Sequence, residues 1–340
     1  MLDILDTVDQ WIAQNRPVAL ATVVETWGSA PRGVGSKMAI TDDMAMIGSV
    51  SGGCVETAVI EQALEILEEN QPRLLHFGVS DDTAWEVGLT CGGRISVFVE
   101  PLDPTWWQAA AADVRANQPA ATVTLLEGSD AGQKALFAGD GQLQYATPAL
   151  PDADREVFAQ AAQSRHRSGR IPVSERSIMV DLHFPRPHLI LIGGVHVAMP
   201  LQSFARQLGF RVSVIDPRQV FATPERFPDV ETILHSYPDK ALPQLGLDRN
   251  TYIAVLTHDP KIDDKALLTA LPSAAPYIGV LSSTRTHEQR VQRLREAGLP
   301  EEHLSRIRTP IGLDIRAQTP EEIALCIMAE IVAVRNGAQL

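Results

Sequence analysis

The sequence has few cysteines, few aromatic residues and no excess of positive charge. Its 340 residues include three cysteines and 5% aromatic residues. The odd number and wide spacing of Cys54, Cys91 and Cys326 exclude a disulfide framework and a paired zinc site. Asp and Glu number 42 against 29 Lys and Arg, which gives a formal net charge of −13. Nucleic acid is therefore not an expected partner, because phosphate backbones require a basic surface.

Long apolar runs and a basic leader are also missing. No stretch approaches the ~20 apolar residues that a membrane helix needs, so membrane insertion is not expected. Asp3, Asp6 and Asp9 stand where a secretory signal would carry basic residues before its apolar segment. Together with the unpaired cysteines, these features predict a protein of the reducing cytoplasm.

Common catalytic signatures are absent as well. The sequence contains neither HExxH nor GxSxG, and in the glycine-rich segment 28–37 Val34 replaces the lysine of a Walker loop. The same segment holds Arg32 and Lys37 among glycines and hydroxyl residues. This composition predicts either an anion-binding loop or an ordinary connection between strands.

Changes of pattern divide the chain into domains. Residues 1–127 mix amphipathic helices with short strands, which is typical of an α+β domain. Residues 128–187 are nearly free of β-branched residues in their first part and end in the proline-rich segment 184–187, which predicts connecting structure and a linker. Residues 188–340 alternate continuous apolar strands with helices. The predicted fold class is α/β, with an N-terminal α+β domain followed by a C-terminal, Rossmann-like, doubly wound parallel sheet.

The start of the C-terminal domain carries a glycine turn between a strand and a helix. The turn reads Gly193-Gly194-Val195-His196, and Asp216 ends the next strand. This arrangement is typical of dinucleotide sites, in which the helix N-terminus receives a phosphate and the acid binds a ribose. Val195 replaces the glycine that lets a pyrophosphate approach closely. The alternatives are therefore a nucleotide site and the same fold without the ligand.

Two later segments of this domain also follow predicted strands. One contains Thr257, His258 and Asp259, and the other contains Thr286 and His287. The carboxyl ends of parallel strands meet at one edge of a sheet, which is where such folds bind ligands. We expect these side chains to face one crevice, although a single histidine there is more often structural.

A cysteine follows two glycines at the predicted start of the helix 54–69. In Ser51-Gly52-Gly53-Cys54, the thiol would meet the positive end of the helix dipole, which favours a thiolate. The turn predicts a cysteine that binds a soft metal or carries sulfur, the alternative being a small buried residue in a tight turn. Cys91-Gly92-Gly93 repeats the pattern, whereas Cys326 lies among apolar residues and is expected in the core.

Together these motifs resemble the XdhC/CoxI family over nearly the whole chain. The segments that carry the resemblance include ATVVETWGSAPRGVGSKM, GSVSGGCVE, GLTCGG, VIDPR, VLTHDPKIDD and PIGLDIRAQTPEEIALCIMAEIVA. The resemblance implies an accessory chaperone of molybdenum hydroxylases such as xanthine dehydrogenase. Such a chaperone binds molybdenum cofactor (molybdopterin), supports its sulfuration by a cysteine desulfurase and inserts it into the apoenzyme. It also implies a homodimer.

The resemblance places cofactor contacts at specific residues of this chain. They are Ser29, Pro31, Arg32, Gly35, Gly52, Gly53, Cys54, Cys91, Gly92, Gly93, Gly193, His196, Asp216, His258, Asp259, Thr286 and His287. Cys54 is also the candidate metal contact, Arg32 a candidate phosphate contact, and NAD(P) or another nucleotide a candidate ligand of the C-terminal sheet. No catalytic residue is predicted, which favours a chaperone over an enzyme with turnover.

Two other functions remain as alternatives. The first is an NAD(P)-dependent oxidoreductase that uses Gly193, Asp216 and His287, against which Val195 and the lack of an evident catalytic base argue. The second is a protein-interaction scaffold whose crevice has lost its ligand.

Overall fold

The computed structural model describes residues 1–28, 30, 32–78, 93–174 and 176–338. The chain divides into two compact units, Met1–Pro185 and Arg186–Leu340, here called the amino-terminal and carboxyl-terminal units. None of the helices in the described part of the chain combines the length and apolar character that a membrane-crossing helix requires.

The described part of the amino-terminal unit contains two antiparallel sheets of five strands each. The strands are β1 (Val18–Trp27), β2 (Lys37–Thr41), β3 (Met46–Gly48), β4 (Arg73–Phe77), β5 (Arg94–Pro101), β6 (Ala120–Leu125), β7 (Lys134–Ala138), β8 (Leu143–Ala146), β9 (Gly169–Val173) and β10 (Arg176–His183). The first sheet has the order β3-β2-β1-β5-β4, and the second has the order β8-β7-β6-β10-β9.

Helices pack against these sheets. They are α1 (Leu5–Ala13), α2 (Glu56–Glu69), α3 (Pro104–Arg115) and α4 (Asp152–Ser164). Val59 and Ile66 of α2 are fully buried against Val23 of β1, and Phe158 of α4 is buried against Val180 of β10. The apolar face of α2 packs on the first sheet. This packing fixes the position of the turn that precedes α2.

Residues 128–187 are not mere connecting structure. They contain four strands, β7 to β10, and the helix α4, and together with β6 they build the second sheet. Low β-branched content hid β7 and β8, because the preference of strands for such residues is weak and packing overrides it. In β7, for example, Ala135 and Phe137 are buried in the core of the second sheet although the strand itself contains no β-branched residue.

The carboxyl-terminal unit confirms the predicted fold class. Its strands are β11 (His188–Ile192), β12 (Arg211–Ile215), β13 (Thr232–Leu234), β14 (Thr251–Val255), β15 (Tyr277–Val280) and β16 (Ile307–Arg308). They form a parallel sheet in the order β13-β12-β11-β14-β15-β16. The chain order reverses between β11 and β14, and in doubly wound folds such a switch point opens a crevice at the carboxyl ends of the strands.

Helices cover both faces of this sheet. They are α5 (Ala198–Gln207), α6 (Pro238–Leu245), α7 (Pro260–Ala270), α8 (Thr284–Glu296), α9 (Glu301–Leu304) and α10 (Pro320–Arg335). Leu191 of β11 is buried with α5 and α10, whereas its neighbour Ile192 is buried with α6 and α7. Since successive residues of β11 point to opposite faces and both faces are covered, the strand is apolar throughout.

Candidate functional site

The Cys54 turn leads into α2 but ends before the helix begins. The helix starts at Glu56 with Val55 as its N-cap, so Cys54 lies outside the first helical turn, and the helix begins two residues later than predicted. Gly52 and Gly53 have φ of +81° and +114°, which favour glycine over residues with a side chain. The Cys54 side chain is half-buried and contacts the core beneath α2.

Glu56 organises this turn, and the sequence analysis did not identify it. Its carboxylate accepts hydrogen bonds from backbone N–H groups and hydroxyls of the preceding residues. The donors are the N–H groups of Val50, Ser51, Gly52, Gly53 and Val55, at 2.9–3.2 Å, and the hydroxyls of Ser49 and Ser51, at 2.7 and 2.5 Å. Burial opposes ionisation, but the hydroxyls of Ser51 and Ser49 and the backbone donors outweigh it and lower the pKa of Glu56 to about 2.

The donors of the turn are therefore directed at a carboxylate of the chain itself. Glu56 stands at the first position of α2, where a negative charge compensates the helix dipole. The N–H of Cys54 donates to the hydroxyl of Ser51 at 2.9 Å. The reactive thiolate at Cys54 stays a prediction, and the N–H groups expected to support it bind Glu56 and Ser51. The sequence signal that could have identified Glu56 is an acidic residue that closely follows a glycine-rich turn.

Replacing Glu56 with glutamine is expected to lower the free energy of unfolding of the amino-terminal unit by about 2 kcal/mol at neutral pH. The amide keeps one acceptor oxygen but turns N–H donors toward backbone N–H groups. Because the pKa is depressed from 4.5 to about 2 in the folded protein, the contribution of the carboxylate is fully present above about pH 4.5 and is lost as the pH falls to about 2.

Denaturant unfolding followed by tryptophan fluorescence measures this effect, since all five tryptophans precede residue 108 and report on the amino-terminal unit. The difference between parent and variant should shrink as the pH falls below 4.5. Glu65→Gln on the exposed side of α2 is the control, with an expected change within about 0.5 kcal/mol. A difference that stays constant with pH would contradict the role assigned to the Glu56 charge.

Arg32 connects the glycine-rich segment 28–37 to the Cys54 turn. Its Nε donates to the carbonyl oxygen of Ser49 at 3.1 Å, and its Nη2 donates to Asp3 at 3.1 Å. The hydroxyl of Ser49 in turn accepts from the N–H of Gly52 at 2.9 Å. The predicted residues Arg32, Gly52 and Cys54 are therefore brought together in one network of loops.

Gly35 lies at the base of the same segment. With φ of +89° it is hydrogen-bonded through its N–H to the carbonyl oxygen of Val23 at 2.8 Å. A Cβ at this position would lie 3.1 Å from Oδ1 of Asp181, on β10 of the second sheet. The close approach of the two sheets thus explains the glycine.

Part of the predicted amino-terminal set lies outside the described residues, namely Ser29, Pro31, Cys91 and Gly92. Gly93 is buried and precedes β5, whose first residue Arg94 pairs with Trp27 at the end of β1. It therefore lies at the sheet edge where the segment 28–37 begins. Among the residues that the structure describes, no three His, Cys, Asp or Glu side chains are grouped so that they could hold a metal ion, and a metal contact at Cys54 stays a prediction.

In the carboxyl-terminal unit, Asp216 binds the glycine turn directly. Its fully buried carboxylate accepts the N–H of Gly194 at 2.9 Å. Arg218 donates from its backbone N–H and Nε to Oδ1, each at 2.9 Å, and from Nη2 to Oδ2 at 2.8 Å. Burial raises the pKa of Asp216, but the hydrogen bonds from Arg218 and Gly194 lower it overall. The oxygens predicted to bind a ribose are thus engaged by the protein.

Both glycines of the turn are required by the packing of this unit. A Cβ on Gly193 would lie 2.4 Å from Cγ2 of Thr257, and one on Gly194 would lie 2.3 Å from the carbonyl oxygen of Phe221. Real Cβ atoms do not approach other atoms so closely. The glycines therefore do not by themselves indicate a phosphate ligand.

The other predicted residues of this unit follow three adjacent strands, β11, β14 and β15, at the carboxyl edge of the sheet. His196 and His258 are exposed. Asp259 caps α7 by accepting the N–H of Lys261 at 2.9 Å. Thr286 lies in the first turn of α8, which Ser283 caps. His287 is half-buried in the same turn.

The surroundings of His287 include a buried ion pair that the sequence analysis missed. Burial, followed by the charge of Arg290, lowers the pKa of His287, and its Nδ1 has no hydrogen-bond partner in the described part of the chain. Arg290 of α8 donates to Asp263 of α7 at 3.0 Å, and the two side chains are 2% and 1% exposed. Asp263 also accepts the Thr257 hydroxyl. The sequence signal was an acid at a core-facing position of α7, next to the buried Ile262.

Two sequence models of protein families match the chain, one in each unit. Residues 11–78 match the XdhC and CoxI family. Residues 189–331 match the XdhC Rossmann domain, which agrees with the parallel sheet described above.

Known proteins resemble the chain over nearly its full length. The molybdenum cofactor insertion chaperone PaoD of Escherichia coli (strain K12) is 26% identical over 325 residues, which is 95% of this chain and 85% of that protein. A protein of Bacillus subtilis (strain 168), named as a probable xanthine dehydrogenase subunit, is 26% identical over 336 residues, 97% of this chain and 96% of that protein. Protein YqeB of E. coli K12 is 28% identical over 326 residues, 96% of this chain, which spans only 45% of that protein's length.

A solved structure shows the same likeness. A crystal structure named as a xanthine dehydrogenase from Bacillus halodurans superposes with a TM-score of 0.80 at 25% identity, covering 98% of this chain and 96% of that one. The chain therefore belongs to the XdhC and CoxI family.

Proposed function

We propose that the protein is an accessory chaperone that binds molybdenum cofactor and delivers it to a molybdenum hydroxylase of the xanthine dehydrogenase type. Two relatives support the proposal by their names, one as a molybdenum cofactor insertion chaperone and one as part of a probable xanthine dehydrogenase. The proposal includes support of cofactor sulfuration by a cysteine desulfurase, and a homodimer. Light scattering tests the homodimer, and a strict monomer at working concentration would remove it.

The observation that carries the proposal is the hydrogen bond from Nε of Arg32 to the carbonyl oxygen of Ser49. It joins a cationic loop to the turn that contains Cys54. Molybdenum cofactor carries a phosphate at one end and soft sulfur and molybdenum at the other, so it needs a cation and a soft contact in one place. The Cys54 side chain is partly accessible, and Nη1 of Arg32 has no partner among the described residues. The donor set therefore fits the cofactor.

Within the amino-terminal unit, the contacts of Glu56 favour Arg32 over the N-terminus of α2 as the phosphate contact. Glu56 stands at the first position of α2 and binds the N–H groups of Gly53 and Val55, and its carboxylate would repel a phosphate at this helix N-terminus. Nη1 of Arg32, on the same network, is a donor without a partner among the described residues. We therefore assign the phosphate contact to the Arg32 segment and the soft contact to Cys54.

Retention of pterin cofactor tests this assignment. Arg32→Ala is expected to weaken retention about 10- to 100-fold, since losing a charged hydrogen bond costs about 1.5–3 kcal/mol. Cys54→Ala is also expected to weaken retention, because it removes the soft contact. The measurement is the pterin released from protein purified from cofactor-producing cells, quantified by fluorescence. Cys326→Ala and Arg155→Ala are matched controls, because Cys326 is buried in α10 and the Arg155 side chain is 37% exposed, close to the 36% of Arg32.

Measurements of pterin retention and NAD(P) binding on these variants also distinguish the chaperone from an oxidoreductase and from a scaffold. Unchanged retention in both variants, together with micromolar NAD(P) binding that Asp216→Ala abolishes, would overturn the chaperone in favour of an oxidoreductase. Because Asp216 also supports the fold through Gly194 and Arg218, that variant requires a hydrogen-exchange measurement of folding. A protein that binds its hydroxylase client but holds neither pterin nor NAD(P) would be a scaffold.

A further inference from the structure

A cavity of about 320 Å³ lies between the two sheets of the amino-terminal unit. Both sheets and α3 line it. One wall is apolar and consists of Trp106, Ala110, Val114, Ala120 and Leu136. The other wall is polar and includes Arg32, Ser36, Lys37, Ser168, Asp181 and His183. A ligand that fits both walls has a flat, weakly polar part and a charged end.

The polar wall contains a buried charge. Lys37 of β2 is 4% exposed, and its Nζ contacts Oδ2 of Asp181 at 2.7 Å and Oγ1 of Thr22 at 3.1 Å. An ammonium group has three N–H donors, so one of them has no partner in the described part of the chain. A buried ion pair contributes little net stability compared with apolar side chains of the same size. Its position in the wall of a cavity therefore points to ligand binding.

Other donors of the same wall are also unused. Arg32 engages Nε and Nη2 but not Nη1 in the described residues. The Nε2 atom of His183 is buried without a hydrogen-bond partner among those residues, and it can donate when it carries the ring hydrogen. Asp181 pairs with Lys37, and Asp3 pairs with both Arg32 and the amino-terminal ammonium of Met1, which also lines the cavity. The wall thus holds three cationic groups against two carboxylates in a chain of net charge −13, and it offers several donors to one guest.

We propose that this cavity binds the phosphate end of a small heterocyclic ligand, with Lys37 and Arg32 as its cationic contacts and Asp181 as the counter-ion of Lys37 in the absence of ligand. Several convergent N–H donors suit the oxygens of a phosphate, and the apolar wall from α3 suits a flat ring. The identity of the ring as a pterin rests on the proposed function. The binding of phosphate in this cavity is independent of the proposed function.

The test uses inorganic phosphate and the full-length protein, free of cofactor, at constant ionic strength. Binding is measured by calorimetry and by phosphorus NMR line width. Asp181→Asn is expected to bind phosphate several-fold more tightly than the parent, because it removes a negative charge and releases Lys37. Lys37→Met/Asp181→Asn, which leaves no unpaired carboxylate, is expected to bind about tenfold or more weakly than Asp181→Asn alone.

The second sheet supplies a matched control. Lys134 and Glu100 form another buried ion pair between the sheets, 3% and 8% exposed, and neither residue lines this cavity. Lys134→Met/Glu100→Gln is expected to keep phosphate affinity within about twofold of the parent, because it removes a cation together with its carboxylate partner and leaves the net charge near the cavity unchanged. A parent protein that binds no phosphate, or equal affinity in Asp181→Asn and the Lys37→Met/Asp181→Asn double variant, would overturn the proposal.

The outcome is separable from that of the chaperone assignment. Phosphate binding that depends on Lys37, in a protein that retains no pterin, supports the cavity and removes the proposed function. Pterin retention that is unchanged by Lys37→Met/Asp181→Asn, in a protein without phosphate binding, supports the proposed function and removes the cavity as the phosphate site.

Discussion

Replacing Arg290 with methionine is expected to lower the free energy of unfolding of the carboxyl-terminal unit by about 3–5 kcal/mol. The variant removes one partner of an ion pair whose side chains are 2% and 1% exposed. Asp263 would be left as a buried carboxylate with only the Thr257 hydroxyl as its side-chain donor among the described residues. The same change would remove one of the two ion pairs described between α7 and α8, the other being Arg293 with Asp264.

The loss should depend on pH in a defined direction. Burial raises the pKa of Asp263 above 3.8 in the parent protein, although Thr257 and Arg290 oppose the rise. Without Arg290 the pKa rises further. A carboxyl with a raised folded-state pKa favours the folded state as the pH falls, because the folded state then binds the proton more tightly. The deficit of Arg290→Met should therefore be largest at neutral pH and shrink as Asp263 becomes protonated.

Hydrogen exchange followed by mass spectrometry measures this loss in peptides of α7 and β14, since the tryptophans all lie in the other unit. Arg293→Met is the matched control. Arg293 lies on the same helix and pairs with Asp264, the residue next to Asp263, but its side chain is 38% exposed. The control is expected to lose about 1 kcal/mol or less. Equal losses in the two variants would show that burial of the Arg290 pair has no special weight.

Replacing Gly194 with alanine is expected to destabilise the carboxyl-terminal unit by about 3 kcal/mol with no nucleotide present. The added Cβ would lie 2.3 Å from the carbonyl oxygen of Phe221 and 2.7 Å from its carbonyl carbon. That carbonyl also accepts a hydrogen bond from Nη1 of Arg226 at 2.7 Å. The backbone at Phe221 cannot move away without weakening this bond and the contact of Gly194 with Asp216.

Gly209→Ala is the control for the effect of an added methyl group. Gly209 has φ of +81° and nothing within 4 Å of its Cβ position, so its substitution strains the backbone by about 1 kcal/mol without a clash. Hydrogen exchange of β11 and α5 peptides compares the two variants. A loss at Gly194 no larger than the loss at Gly209 would contradict the packing argument.

Nucleotide binding in this unit is best tested away from the glycine turn. A Gly194 variant that fails to bind NAD(P) would be expected from loss of folding alone, and the same applies to Asp216. Substitutions of His258, which is exposed at the sheet edge and lies outside the turn, leave the turn intact. They are therefore the appropriate variants for locating a ligand in this crevice.

The carboxyl-terminal fold could be predicted from the sequence because its signals are local. Continuous apolar strands such as β11 alternate with helices that carry their own end signals. In α10, for example, the N–H of Glu322 donates to Thr319 at 3.2 Å and the N–H of Thr319 donates to Glu322 at 3.1 Å. Such patterns depend on residues a few positions apart, so they can be read without knowing the tertiary structure.

The second sheet of the amino-terminal unit could not be predicted in this way. Its strands β7 and β8 contain no β-branched residue. They are strands because β7 pairs with β6 and β8 pairs with β7, and because α4 covers the buried face of β7. Strand pairing is a tertiary interaction, and it overrides a weak local preference.

The candidate sites also combine features that local sequence signals indicate with features that only tertiary contacts determine. Arg32, Cys54 and the glycine turn at Gly193 belong to compact motifs, and the sequence by itself determined where they lie along the chain. Only the tertiary structure decided that Asp216 is engaged by Arg218 and Gly194, and that Lys37 meets Asp181 across two sheets. The physical reason is that periodicity and turn chemistry act over a few residues. Burial and ion pairing depend on which distant segments pack together, and no local pattern specifies that.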